Sequence, residues 1–578
     1  MAEVKETKAQ RVERLKRSKN AWEHFDEIRE FARQGIDSVP AEWKGTYFRS
    51  WGIYTQGDGA GVVGGANGEG KAVPYFMVRI RIPNGLLTSE QARVIADLSE
   101  QHGRGVADLT VRQNVQLHWV AIESLPDVLE RLWSVGLTTT GACGDVARNI
   151  TGCPLAGLDG HEIVDASPLA LEIDRQLGGN SEFYNLPRKF KISITGCRSW
   201  CSYPEINDVG LTATTRQRDG RTEIGFSLRV AGGLSTDPHL GVRLNAFIQW
   251  DQVIPVVRGV AEIFRASEVL RQSREKARLK FLFLQHGWTA ESFLEELQRQ
   301  IGFNLDPAEE EEVPADFHRD HVGIHAQKQP GLSYVGASVL RGRITPQQLR
   351  AAAGLAERHA DGHLRNTIMQ NLLIVNVPND RAALVAAELT SVGLPVRGSV
   401  FARGTVACTG SEFCKLALTE TKGFARWLSE ELEDRLPGFQ EQLRLNITGC
   451  PNSCGQHWIG DIGFYGNARK IDGKEVPYYL MLLGGGYDST GIMRFGVAVQ
   501  SIPARLAPEA VRRVLDHFVR NRQSGESFRD YVLRNKVEVF RGMTNDLVKP
   551  PELAPEMYRD WGDDMEYSLQ LGRGECAS

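Results

Sequence analysis

The chain of 578 residues has no apolar run approaching the 18 or more residues of a membrane span, and its mean hydropathy is −0.29. It has no apolar segment behind its first residues either: MAEVKETKAQRVERLKRSKN is charged throughout, so no secretory signal is read there. A basic excess is also missing, since 68 Lys and Arg face 72 Asp and Glu for a net charge of −4. Nucleic acid is therefore not expected as a partner, nor is a membrane. Disorder is excluded by 42% hydrophobic and 24% charged residues. These absences lead to the expectation of a cytoplasmic protein with several domains. Nine cysteines, an odd number, in a large chain without a signal argue against a disulfide framework.

What is present is a long internal repeat. GLLTSEQARVIADLSEQHG from Gly85 matches GRITPQQLRAAAGLAERHA from Gly342, 257 residues later. Gln113-Asn114 matches Gln370-Asn371 at the same offset, as does SVGL at 134 and 391. Farther on, ITGCRSWCSYPEINDVGL matches ITGCPNSCGQHWIGDIGF, with Cys201 facing Cys454 at an offset of 253. Solenoid repeats are about 20–50 residues long, so this period indicates duplication of a whole domain pair. In each half a strand–helix–strand pattern precedes the cysteines and a glycine turn, Ala231-Gly232-Gly233 or Gly484-Gly485-Gly486. The fold expected is α+β with pseudo-two-fold duplication. Its parts are a helical charged arm ending in a glycine-rich loop (1–72), a first half-module (73–141) and a cysteine-bearing domain (142–304). An acidic, solvated linker (305–321) leads to a second half-module (322–399), a second cysteine-bearing domain (400–548) and an irregular tail (549–578).

Cys408-x5-Cys414 and Cys450-x3-Cys454 form a four-thiolate set. Soft ligands of this kind select an iron–sulfur cluster or zinc, and the x5 spacing leans away from a zinc ribbon. Thr448-Gly449 and Pro451-Asn452 around Cys450 imply a tight turn whose backbone N–H groups are free to face sulfur. Two patterns are set aside. GAGVVG at 59–64 satisfies a dinucleotide fingerprint but has neither the preceding strand nor the following helix. His318, His321 and His325 have metal-like spacing but fall in the linker, where they are read as solvated or strand-capping.

CTGSEFC followed by NITGCPNSC resembles the cluster signature of sirohaem-dependent nitrite and sulfite reductases. LTVRQNVQLHW, CGDVARN, GCPLAGLDGHEIVD and NLPRKFK are similar to family segments in the family order, and the resemblance extends over residues 45–545. It implies two ferredoxin-like half-domains, a [4Fe–4S] cluster on Cys408, Cys414, Cys450 and Cys454, and a sirohaem joined through Cys454. It implies further that Arg79, Arg148, Lys189 and Lys191 surround a small anion, and that Arg112, Gln116 and His118 contact sirohaem. Lys189 and Lys191, at i and i+2, would leave one face of a strand, and Arg112, Gln116 and His118 would line another. Four clustered cations need anions to offset them. Tyr54 and Cys143 stand where some members carry a thioether cross-link.

The activity so implied is six-electron reduction of sulfite to sulfide with electrons from a protein such as ferredoxin, since no flavin or nicotinamide site is evident. The alternatives are nitrite reduction to ammonia by the same site, and a non-catalytic iron–sulfur scaffold. In the family, nitrite enzymes commonly have Asn where Lys191 stands, so sulfite is favoured, although GCPLAGLDGHEIVD is closer to the nitrite branch. The first-half cysteines, with Cys197 and Cys201 mirroring Cys450 and Cys454, leave two readings, a second cluster and buried relics of duplication, of which the relic is favoured. Cys143 is paired with Cys408 across a slipped register, and Asn149 with Cys414.

Overall fold

A computed structural model describes residues 6–56, 75–311, 319–414, 416–550, 553–562 and 566–568. GAGVVG, His318 and Cys576 lie outside them. No helix among the described residues is long and apolar enough to cross a membrane.

The repeat is a repeat of structure. One five-stranded sheet runs in the order Ile53–Thr55, Tyr75–Ile80, Val115–Ala121, Ala107–Leu109, Arg343–Ile344. The other runs Gly323–Ala326, Leu332–Ala337, Leu372–Pro378, His363–Asn366, Leu86–Thr88. Each half thus lends its short strand to the other: Arg343 pairs with Asp108 in the first sheet, and Leu86 with Arg365 in the second. The following helices, Ser89–His102 and Pro346–His359, start with the same device. Thr88 caps Gln91 and Thr345 caps Gln348, each closed into a capping box by the glutamine. The two helices lie together, with Arg93 on Glu357 and Arg350 on Glu100 as symmetry-related ion pairs. These pairs are exposed and contribute little to stability. Stability comes from the shared core beneath, where Leu98, Leu117, Ala352 and Leu355 are buried.

The cysteine-bearing domains are two further five-stranded sheets. In the first, Thr151–Gly152, Ile192–Thr195 and Val209–Arg218 run parallel, and Arg221–Val230 and Val242–Gln249 return antiparallel. In the second, Thr405–Ala407, Leu445–Thr448 and Ile462–Ile471 are parallel, followed by Lys474–Leu483 and Val497–Pro503. Even the strained positions repeat. Gln113 and Gln370 both have φ 60°, and Trp200 and Tyr203 share the left-handed region with Ser453 and Gln456.

Three expectations need correction. The N-terminal arm is not a loose charged extension, because Ala21, Ile28, Trp43, Phe48 and Trp51 join the core of the first half. Its Lys16 and Glu13 are buried beside Asp145 and Arg274, and Arg274 grips the Asp145 carboxylate at 2.5 and 2.9 Å. Burial favours a neutral Asp145, yet Arg274, Lys16 and Arg188 hold it well below the usual carboxylate range. The linker is not freely solvated either. Asp306 binds Arg216, Glu311 binds Arg229 and Asp320 binds Arg403, so its acids serve as counter-ions for arginines on neighbouring elements. His321 is buried with neither ring nitrogen hydrogen-bonded.

The tail is anchored as well. Trp561 stacks on Trp427 at 3.6 Å, and Asp560 accepts a hydrogen bond from the backbone N–H of Glu420. Burial pushes Glu420 up to about 7, with Glu412 adding to the shift, and Asp560 up to about 8, with Glu420 adding. In the unfolded chain both acids titrate near about 4. The folded state therefore holds protons that the unfolded state has released, and stability falls as pH rises through 7 and 8. Thermal unfolding followed by tryptophan fluorescence is expected to show a lower midpoint at pH 9 than at pH 6, and Asp560→Asn should flatten that dependence.

Candidate functional site

The two halves meet over a cleft of about 1750 Å³, open mouth included. One wall comes from the second half and carries Cys408, Cys414, Cys450 and Cys454; the other comes from the first half and carries Arg79, Arg112, Gln116, Arg148, Lys189 and Lys191.

The thiol wall is built by strand ends. Cys408 follows the strand Thr405–Ala407, and Cys450 follows Leu445–Thr448 by one residue. These strands are adjacent and parallel, so their C-terminal ends deliver both cysteines to one edge. The Gly449 N–H donates to Cys408 Sγ at 3.3 Å, and the Asn452 N–H bonds to Cys450, as the tight turn implied. Cys450 is buried, Cys408 and Cys414 are partly so, and Cys454 is exposed toward the cleft. Burial pushes the Cys408 thiol up to about 11 and Cys450 higher still, with Cys454 adding to both. Thiols so placed remain neutral unless metal neutralises them, the behaviour expected of cluster ligands.

The cationic wall is crowded. Arg148 is held by the carbonyls of Gly144 and Ala142 at 2.8 and 3.3 Å. Arg79 reaches Cys143 Sγ at 2.8 Å and lies over the Tyr54 ring at 5.8 Å. Arg112 spans Asn207 and the Asn149 carbonyl at 2.9 and 2.6 Å, leaving its Nε without a hydrogen bond. Burial, then repulsion from Arg148, brings Arg112 down to about 9. Lys191 is driven well below its ordinary value by burial, then by Arg112 and Lys189, and Cys454 acts in the opposite direction. Such a surface is stable only against anions. A four-thiol wall facing this many cations fits a [4Fe–4S] cluster beside a polycarboxylate macrocycle and a small anion.

Two expected positions lie elsewhere. His118 does not line the cleft. It is fully buried, within hydrogen-bonding distance of Gln56 at 3.3 Å and Asp108 at 3.1 Å, and stacked on Phe413 at 3.9 Å. It shares a strand face with Gln116, but Phe413, from the loop between Cys408 and Cys414, covers that face. Cys143 is also behind the wall, fully buried. The sequence reading missed Asn114, whose Oδ1 has no hydrogen-bond partner, and Lys422, which both line the cleft. It also missed Gln370, which bonds both backbone groups of Ala407 at 2.9 and 3.0 Å and so fixes the strand end before Cys408. Its repeat with Gln113 was visible; its hydrogen-bonding task was not.

Comparison with known proteins gives the same assignment over most of the chain. Residues 143–305 and 400–549 match the nitrite and sulphite reductase 4Fe-4S domain, and 69–135 and 325–392 match the nitrite/sulfite reductase ferredoxin-like half domain. The assimilatory ferredoxin-dependent nitrite reductase of Haloferax mediterranei is 36% identical, over 88% of each chain. The sulfite reductase [ferredoxin] of Mycobacterium tuberculosis is also 36% identical, over 92% of this chain and 95% of its own. The solved structure of the Mycobacterium tuberculosis NirA protein superposes with a TM-score of 0.85 at 34% identity, covering 92% of this chain and 97% of that one. The chain belongs to the nitrite and sulfite reductase family, an oxidoreductase family whose cofactors are a [4Fe–4S] cluster and sirohaem.

Proposed function

We propose that this enzyme reduces sulfite to sulfide, with electrons delivered by an external protein such as ferredoxin in the cytoplasm. The observation that carries the reading is the cleft itself, in which the cations of one half face the thiols of the other. The sulfite reductase [ferredoxin] of Mycobacterium tuberculosis supports it, while the Haloferax mediterranei relative, named a nitrite reductase, keeps nitrite as the second reading. Eight cysteines free of disulfides are consistent with a reducing compartment. A non-catalytic scaffold would have no use for the anion-binding wall.

In this proposal Cys408, Cys414, Cys450 and Cys454 would hold the cluster, and Cys454, the exposed thiol, would also hold the sirohaem. When bound, the two groups would supply the electrons for the reduction. Arg112 and Gln116 face the macrocycle's carboxylates. Arg79, Arg148, Lys189 and Lys191 hold the substrate oxygens, which gain negative charge as electrons arrive, and the lysines carry protons to them. His118 acts indirectly: stacked on Phe413, it positions the loop between Cys408 and Cys414.

Substrate choice rests on Lys191. Near neutral pH sulfite is a mixture of monoanion and dianion and nitrite is a monoanion only, so an added cation in a dehydrated site, by drawing in the dianion, favours sulfite. Lys191→Asn is expected to lower kcat/KM for sulfite about ten- to a hundredfold, roughly 1.5–3 kcal/mol, and that for nitrite distinctly less. Parallel assays on one preparation check this, and equal losses would assign selection elsewhere.

Cys454→Ser should abolish turnover and remove the magnetic coupling between cluster and haem, because a hydroxyl is a poor bridge between two irons. Electron paramagnetic resonance of the variant measures this directly.

Tyr54 and Cys143 both contact Arg79, which suits the cross-link found at the matching family positions. Mass spectrometry should find one joined peptide pair two hydrogens lighter than its separate parts. Unmodified peptides from active enzyme would refute the link.

A further inference from the structure

The first-half cysteines are not paired as sequence spacing suggested. Thr151 pairs with Ser193 and Gly152 with Ile194, just as Val406 pairs with Asn446 and Ala407 with Ile447. Residues 192–195 are the repeat of 445–448, so the counterpart of Cys408 is Cys153, not Cys143. The hydrogen bonds agree. Gln113 accepts from the N–H of Gly152 at 3.0 Å, and Gln370 accepts from the N–H of Ala407 at 2.9 Å, in each case the residue before the cysteine. In this register Asp159, not Asn149, replaces Cys414. Cys153-x5-Asp159 with Cys197-x3-Cys201 therefore reproduces Cys408-x5-Cys414 with Cys450-x3-Cys454, one thiolate becoming a carboxylate.

These four residues are together and buried, at 1%, 4%, 2% and 8% exposure for Cys153, Asp159, Cys197 and Cys201. The ligand atoms of Cys153, Asp159 and Cys197 all lie within 4.8 Å of one another. Cys201 is in hydrogen-bond contact with Cys153. The Ser199 N–H donates to Cys197 Sγ at 3.4 Å, the counterpart of the bond from Asn452 to Cys450.

We propose that Cys153, Asp159, Cys197 and Cys201 form a second metal site, which binds a single zinc ion. Spacing decides between one ion and a second cluster. Ligands about 2.3 Å from one tetrahedral ion stand about 3.8 Å apart, within the observed limit. In a cubane each thiolate binds a different iron, and the sulfurs are pushed farther apart. Thiolate-rich tetrahedral sets of this kind favour zinc. On binding, three thiol protons pass to solvent. The four anionic ligands then outweigh the ion's two charges, and Arg319, on Asp159 at 2.6 Å, offsets part of the excess.

The lining beside this site differs from that of the cleft. At the positions corresponding to Arg79, Gln116 and Lys189, the second half has Gly336, Leu373 and Gln442. Tyr334, Leu373 and Val375 instead pack as an apolar lid over the cysteines. The ion is therefore structural: it pins the loops at 153–159 and 197–201 to each other, beneath the second ferredoxin-like sheet.

Elemental analysis of anaerobically purified holoenzyme should find about one zinc per chain alongside the cluster and haem iron. Zinc-edge absorption should give three sulfur neighbours near about 2.3 Å and one oxygen. Cys153→Ser and Cys197→Ser should lower zinc occupancy at least tenfold in soluble protein that keeps its iron and visible spectrum. Asp159→Cys guards against misfolding of the serine variants, because it should retain zinc and change the count from three sulfurs to four. Wild-type enzyme without stoichiometric zinc, four further irons at this site, or a Cys153–Cys201 disulfide in mapped peptides would each overturn the proposal.

Discussion

Two short strands, each lent by one half of the chain to the sheet of the other, are the contacts on which the rest depends. Arg343–Ile344 completes the first ferredoxin-like sheet and Leu86–Thr88 completes the second, so neither sheet is whole without its partner. Backbone pairing of this kind fixes register, and with it the direction in which each following loop leaves. The loop at 110–114, carrying Arg112 and Asn114, is thereby brought against the cysteine-bearing domains, and Gln370 reaches the strand end that precedes Cys408. The active cleft is a consequence of that exchange, since its cations and thiols lie in different halves.

Electrostatics supplies the second constraint. Arg112, Lys191, Lys189, Arg148 and Arg79 gather where burial alone would disperse them, and the protein meets the cost with carbonyls, Asn207 and a network behind the wall. Asp145 is the centre of that network. Arg274, Lys16 and Arg188 converge on it, so the N-terminal arm helps to hold the loop that carries Cys143 and Arg148. Cluster, macrocycle and substrate provide the remaining negative charge.

The duplicated design has been kept for binding on both sides, with different chemistry. Where Gln116 and His118 stand in the first sheet, Leu373 and Val375 stand in the second, and the polar wall has become an apolar one. The metal-type spacing survives in both halves, and the cationic pocket in one. Arg79, Arg112 and Lys189 give way to Gly336, Met369 and Gln442, although Arg403 and Arg444 keep the charge of Arg148 and Lys191; this weakens the case for an anionic macrocycle, while buried thiols remain suited to a bare ion.

Much of this was legible in the linear chain. The 257- and 253-residue offsets established duplication, and apolar runs showed a strand–helix–strand pattern ahead of each cysteine set. Two tight cysteine pairs marked a soft-metal site, because soft-ligand chemistry depends on residue type and local spacing, and the family resemblance read it as a cluster. Strand periodicity placed Arg112, Gln116 and His118 on one face, but only the tertiary structure showed Phe413 covering His118. Periodicity reports which side of a strand a residue occupies, and not what packs on that side. Likewise Cys143 was paired with Cys408 by counting residues, whereas strand pairing selected Cys153 and brought Asp159 into the cysteine set. Ligand identity was thus written in the sequence; register across loops of different length was decided only when backbone hydrogen bonds joined strands distant in the chain.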